Sequence, residues 1–318
     1  MTDDQHPSAK RKTNRAALFG VASAVAVGAG MFVVFNSNRP KSAEPAVETA
    51  QAAAPEAANV QTAHFSQTDN APNAPQAPPP SEVAGALSAD GGAVSFKDET
   101  LTFEAAFPPG PANDPALVAI RNDALTFLAS RKAQARTTFD EMKKEGNVSP
   151  AWPWEVMISW EYTAKAGDIV SLAGSAYEFT GGAHGNLQFD THVARTNGAA
   201  LKVADMLQGG VTPALVIGIC EALKAEKVKR IGAATVYDDP VNCAGPNANV
   251  KIEEAKLALA SSSEANKFGG ILVYWPPYAV GPYVEGPYEI VVQQEVFAMD
   301  VRPEFKPLFG GTAPPVKD

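Results

Sequence analysis

The chain has 318 residues, a hydrophobic fraction of 45% and a formal net charge of -9, from 35 acidic and 26 basic side chains. That acidic balance excludes the exposed polybasic surface that neutralises nucleic-acid phosphates, so nucleic acid is not an expected partner. Large apolar residues concentrate in the last two-thirds of the sequence, which points to one substantial folded region rather than two equal domains.

Residues 16–35, AALFGVASAVAVGAGMFVVF, carry no charge. At helical rise such a run covers roughly 30 Å, the thickness of a bilayer core. Lys10, Arg11, Lys12 and Arg15 precede it, so the positive-inside bias predicts a cytoplasmic tail over 1–15 and everything after Phe35 outside. The alternative, a cleaved signal peptide, wants a shorter apolar region ending in small residues, whereas Lys41-Ser42-Ala43 sets a lysine at the critical position. The expectation is a single-pass anchor in a bacterial inner membrane with the C-terminal part in the periplasm. Residues 36–90, rich in Ala and Pro with few large apolar side chains, read as a disordered tether.

From about residue 91 the pattern becomes that of a folded domain. Val94, Phe96, Leu101, Phe103 and Ala105 alternate as a strand pair before Pro108-Pro109-Gly110. Asp114-Pro115 then has the form of an N-cap and first helical residue, and Leu117, Ile120, Ala124, Leu128, Ala135, Phe139 and Met142 continue at helical spacing to about 145. Arg121, Arg131, Lys132 and Arg136 are taken as the solvated face of that amphipathic helix. Residues 154–179 alternate as a hairpin turning at Ala166-Gly167-Asp168, a strand follows over 187–195 with a turn at Asn197-Gly198, and Thr212-Pro213 opens a second helix to about 230. Residues 250–260 fit strand or helix, while 270–274 and 288–297 read as strands around an aromatic, proline-rich loop. The class is α+β, an antiparallel or mixed sheet with one long and one second helix, because strands and helices do not alternate regularly.

Cys220 and Cys243 are the only cysteines. An oxidising compartment favours pairing them, with a redox-sensing pair as the sharper alternative. No metal site, cofactor or catalytic set is expected. His184, Asp190 and His192 have a weak metal-like spacing, and Ser175, His184 and Asp190 supply the residue types of a triad without a nucleophile elbow. Neither a phosphate-cradling loop nor a dinucleotide fingerprint occurs. The glycines of Gly181-Gly182-Ala183-His184-Gly185 fit a tight loop between strands, with His184 tying backbone groups together.

The segment Tyr177-Glu178-Phe179-Thr180-Gly181-Gly182-Ala183-His184-Gly185-Asn186, followed by Tyr278-Ala279-Val280-Gly281-Pro282-Tyr283-Val284-Glu285-Gly286, resembles the paired signature of the extracytoplasmic domain of RsiV-type anti-sigma factors and PdaC-type peptidoglycan deacetylases. The resemblance implies an N-terminal PdaC/RsiV-like subdomain over 91–165 and a C-terminal RsiV-like domain over 166–310. It also implies a domain facing the cell wall, which in RsiV binds lysozyme and in PdaC accompanies a separate catalytic domain. Anti-sigma activity is not expected from so short a stretch before the anchor, and no deacetylase domain is matched. The expectation is therefore a periplasmic binding or sensor module for a lysozyme-like muramidase or peptidoglycan, not an enzyme. A cell-wall hydrolase and an envelope scaffold are the alternatives. Tyr278, Tyr283, Glu285 and His184 are the candidate binding residues, with Glu285 available to a cationic partner, and Gly181, Gly182, Gly185 and Gly286 the structural glycines.

Overall fold

The computed structural model describes residues 81–147, 153–238, 240–245 and 248–316. The expected cytoplasmic tail, the apolar run 16–35 and most of the tether lie outside them. Among the described residues no helix is long and apolar enough to cross a membrane.

The described residues reach into the segment expected to be tether. Residues Ser81–Ala86 form a short 3-10 helix, Val83 is buried in the core, and Leu87 bridges to Val94. A single buried valine anchors this stretch, too weak a signal to separate it from an Ala-rich spacer. β1 (Ala93–Lys97) and β2 (Leu101–Ala106) then pair antiparallel. Their turn is closed by the Asp98 carboxylate, which accepts from the Thr100 hydroxyl and from the amides of Thr100 and Leu101.

β2 runs parallel to β3 (Trp154–Ala166), and a parallel neighbour demands a long crossover. The crossover contains α1 (Pro115–Lys144), started by Asp114, whose side chain accepts from the amides of Ala116 and Leu117. Long antiparallel pairings then add β4 (Ile169–Phe179), β5 (Asn186–Arg195) and the two-residue β6 (Ala200–Leu201). The result is a six-stranded mixed sheet in sequential order. Leu117, Ile120, Ala124 and Leu128 of α1 pack on Phe103, Val156, Ile158, Trp160 and Leu172. The basic residues of α1 are not all solvated as expected: Arg121 and Arg131 fall on the apolar stripe and are 4% and 8% exposed.

A second core forms around three further strands. A 3-10 turn at Ile252–Glu254 leads into β7 (Lys256–Ser261), which pairs with β8 (Phe268–Trp275), and β8 with β9 (Tyr288–Gln293), all antiparallel. The strand expected over 288–297 ends at Gln293, where both ends of the side-chain amide bond the backbone of Ala313. The chain then turns into the short helix Gln294–Phe297, which buries Phe297 completely. α2 (Pro213–Ile231), capped by Thr212, lies on β9 and contributes Leu215, Ile219 and Leu223 to this core. A bulge between Tyr162 and Ala164 lets the β3–β4 hairpin serve both cores: Val156, Ile158 and Trp160 go to the first, Ala164, Ala166 and Ile169 to the second. The division expected at 165/166 therefore falls at the hairpin's own turn. The fold is α+β with a mixed sheet and few helices.

Candidate functional site

The two signature segments meet. The loop between β4 and β5 carries His184, and the loop between β8 and β9 carries Tyr278 and Tyr283. The rings of His184 and Tyr283 stack with centroids 3.9 Å apart, and Tyr278 lies beside them at 5.4 Å from Tyr283 and 6.2 Å from His184. His184 Nδ1 lies 3.0 Å from the Gly185 carbonyl, which can only accept, so Nδ1 carries the proton. That leaves Nε2 as the acceptor for the Tyr278 hydroxyl at 3.4 Å. The Tyr283 hydroxyl donates to the same Gly185 carbonyl at 3.1 Å.

Local sequence explains the approach. A Cβ on Gly185 would sit 2.3 Å from the Tyr177 ring, so only glycine lets the loop fold onto that tyrosine. Gly181, Gly182 and Gly286 take positive φ at the loop corners. On the other loop, the Ala279 amide closes a turn on the Pro276 carbonyl and Tyr278 occupies its third position at φ 73°. Glycine is the usual occupant of such a position; a tyrosine there is strained by about 1–3 kcal/mol. Tyr278 is nevertheless 64% exposed, so the strain is not offset by burial.

The other aromatics of this region serve the core. Trp275 and Tyr288 are fully buried and Tyr274 nearly so, packing the end of the second sheet. Glu285 also turns inward. Its carboxylate accepts from the Tyr288 hydroxyl at 2.5 Å and faces Lys227 Nζ at 3.7 Å, with Lys227 also donating to the Val280 carbonyl at 3.5 Å. The cation expected from a partner is supplied by α2 of the same chain. Burial, and then the bond to Glu285, pushes the Tyr288 phenol pKa up, which keeps it a donor. Arg230, one turn further along α2, donates to the carbonyls of Glu285 and Pro287 and lies over the Tyr288 ring at 4.3 Å. Sequence reasoning missed Lys227 and Arg230. The signal was present for the first, since Leu215, Ile219, Leu223 and Lys227 recur every fourth residue along one helix face.

Residues 46–187 match the family model of the deacetylase PdaC. The matched stretch is a little under half of the chain. The match takes in Tyr177 to Asn186 and stops before the Tyr278 loop. Two solved structures of the DUF3298 family are similar to the chain. One, from Bacteroides fragilis, has 16% identity and a TM-score of 0.44, covering 67% of this chain and 93% of its own. The other, from Pseudomonas aeruginosa, has 17% identity and a TM-score of 0.41, covering 68% and 90%. No curated protein matches the chain.

The remaining sequence candidates around these two segments do not assemble into one site. Ser175 pairs with Phe189 and Gly174 with Asp190, so Ser175 and Asp190 point to opposite faces of the sheet. Asp190 is 3.9 Å from Lys256 and accepts from the Thr191 amide. His192 pairs with Leu172 on the face that α1 covers, near Asp114, away from the ring cluster. Burial pulls its pKa down to about 4, against a smaller opposing influence of Asp114. Among the described residues no group of three or more His, Cys, Asp or Glu could hold a metal ion. Cys220 and Cys243 form a disulfide with Cα atoms 5.8 Å apart, tying α2 to the segment before β7.

Proposed function

We propose that this protein is a non-catalytic binding module of the bacterial cell envelope, anchored in the inner membrane by residues 16–35 with its folded part in the periplasm. Its ligand is peptidoglycan, bound on the surface made by His184, Tyr278 and Tyr283. One observation carries the reading: two segments 94 positions apart, counted from His184 to Tyr278, converge on an exposed ring cluster in which one tyrosine is held at a strained backbone angle. Strain without burial favours function over packing at that residue. Aromatic faces with a polar edge suit sugar rings. The disulfide suits an oxidising compartment, and the PdaC-type match agrees with a cell-wall setting.

The test is cosedimentation of the purified full-length chain with peptidoglycan sacculi, with lysozyme binding measured in parallel. In Tyr278→Gly the turn loses its strain, so the folded state should be as stable as the parent or up to about 1 kcal/mol more stable. Sacculus binding should nevertheless drop at least about tenfold, roughly 1.4 kcal/mol. Unchanged sacculus binding in that variant, or binding to lysozyme alone, would overturn the assignment to peptidoglycan.

A further inference from the structure

Ten residues apart on α1, Arg121 and Arg131 are both buried, but only one has an acidic partner. Arg131 donates from Nη2 to Glu178 and forms an ion pair with it. Arg121 donates from Nη1 to the Ala112 carbonyl at 2.9 Å and has the Phe107 ring 6.0 Å away, while its Nε is buried without a hydrogen-bond partner. The nearest acidic loop residue, Asp90, directs its carboxylate to the Ser88 hydroxyl and the Gly92 amide instead. Asp90 therefore acts on Arg121 only at a distance, and a guanidinium that is 4% exposed with its Nε unbonded is costly to keep.

Arg121 also lines a recess of about 160 Å³ between the start of α1 and the loop before β1. A cavity of about 150 Å³ accommodates a benzene-sized guest. Its walls are Leu87, Ala89, Ala112 and Val118, with the Asn122 side chain at the polar side. Gly91 leaves room for the guanidinium, since a Cβ there would fall 2.9 Å from its central carbon.

We propose that this recess binds a small carboxylate carrying a compact apolar group, paired to Arg121. The planar fork of a guanidinium matches a carboxylate, and the small apolar walls fit a methyl-sized substituent. Asp90 beside the mouth disfavours a doubly charged anion. The site is independent of the ring cluster and uses different elements.

Saturation-transfer NMR on the full-length chain tests it, with acetate, N-acetylalanine and N-acetylalaninamide as probes. Saturable binding of acetate alone assigns the recess to a free short acid, and binding of N-acetylalanine as well assigns it to the carboxyl end of a peptide. In either case the neutral amide should bind at least about tenfold more weakly. Val118→Trp, at a position 37% exposed and therefore tolerant of size, should block the recess without lowering the melting temperature. The proposal fails if the amide binds as well as the acid, if Val118→Trp leaves carboxylate binding unchanged, or if no probe gives a saturable signal at roughly millimolar concentration.

Discussion

Glu178 and Glu285 each fasten one of the two loops that meet at His184, and each does so through a cation on a helix, but the two fastenings differ in depth and geometry. Arg131 meets Glu178 with one hydrogen bond of 2.9 Å and a second ion-pair approach of 2.7 Å and gives a further bond to Gln134, and the two side chains keep 10% and 17% of their exposure. Lys227 meets Glu285 at 3.7 Å with exposures of 2% and 9%, and the carboxylate is completed by Tyr288. The Arg pair has the better direct geometry, while the Lys pair is the deeper one and depends on a network. For a buried pair, the cost of removing one partner is governed by what is left uncompensated, so depth outweighs geometry.

That difference is open to breaking by single substitutions read out in chemical denaturation. Lys227→Ala should cost about 3–5 kcal/mol, because the enclosed Glu285 carboxyl group is left without its cation. Arg131→Ala should cost about 1.5–3 kcal/mol, the range of a charged hydrogen bond. Glu178 has two ways out: it is nearer to water, and burial already raises its pKa, so it can take up a proton. Equal losses in the two variants would mean that depth is not the deciding quantity. The disulfide sharpens the comparison further, since it braces only the helix that holds Glu285. Replacing Cys220 and Cys243 by alanine should lower stability by about 3 kcal/mol on the loop-entropy estimate. Hydrogen exchange should then rise in the loop carrying Tyr278 before it rises in the loop carrying His184. A uniform rise across both would remove the distinction.

Much of this arrangement was legible in the sequence. The Asp114-Pro115 start of α1, the β3–β4 hairpin and the tight glycine loop before β5 follow from local chemistry: a cap needs an oxygen, a hairpin needs alternation, and a loop folded onto Tyr177 needs Gly185. Buried charge was harder to see. Arg121 and Arg131 were assigned to solvent by residue type and Lys227 was not singled out, although each sits at a position where helical spacing calls for an apolar side chain. Position outweighs type when a long side chain can reach a partner across the core, and that partner is set by tertiary contact. Glu285 was misread for the same reason, because its cation lies in a helix far away in sequence. The burial of Val83 within the expected tether was illegible, since one buried valine in an Ala-rich stretch leaves no periodic signal.

His184 and His192 extend the contrast to acid. The first lies exposed in the ring cluster; the second is held under α1 with its Nε2 buried and unbonded. Because burial lowers the folded pKa of His192 to about 4 from 6.5, the unfolded chain binds the proton more readily than the folded one between those values. Stability from this group is therefore complete above about pH 6.5 and is lost as pH falls towards 4. At 1.36 kcal/mol per pKa unit the loss reaches at most about 3 kcal/mol, reduced to the extent that Asp114 turns towards the new charge. Carboxylates titrate in part of the same range, so the measure is a difference: unfolding free energies of the parent and of His192→Leu at pH 7 and pH 4.5. The variant should lose less stability over that interval. An equal loss in both would mean that the imidazole is protonated in place, and that the lower side of α1 is wetter than its packing implies.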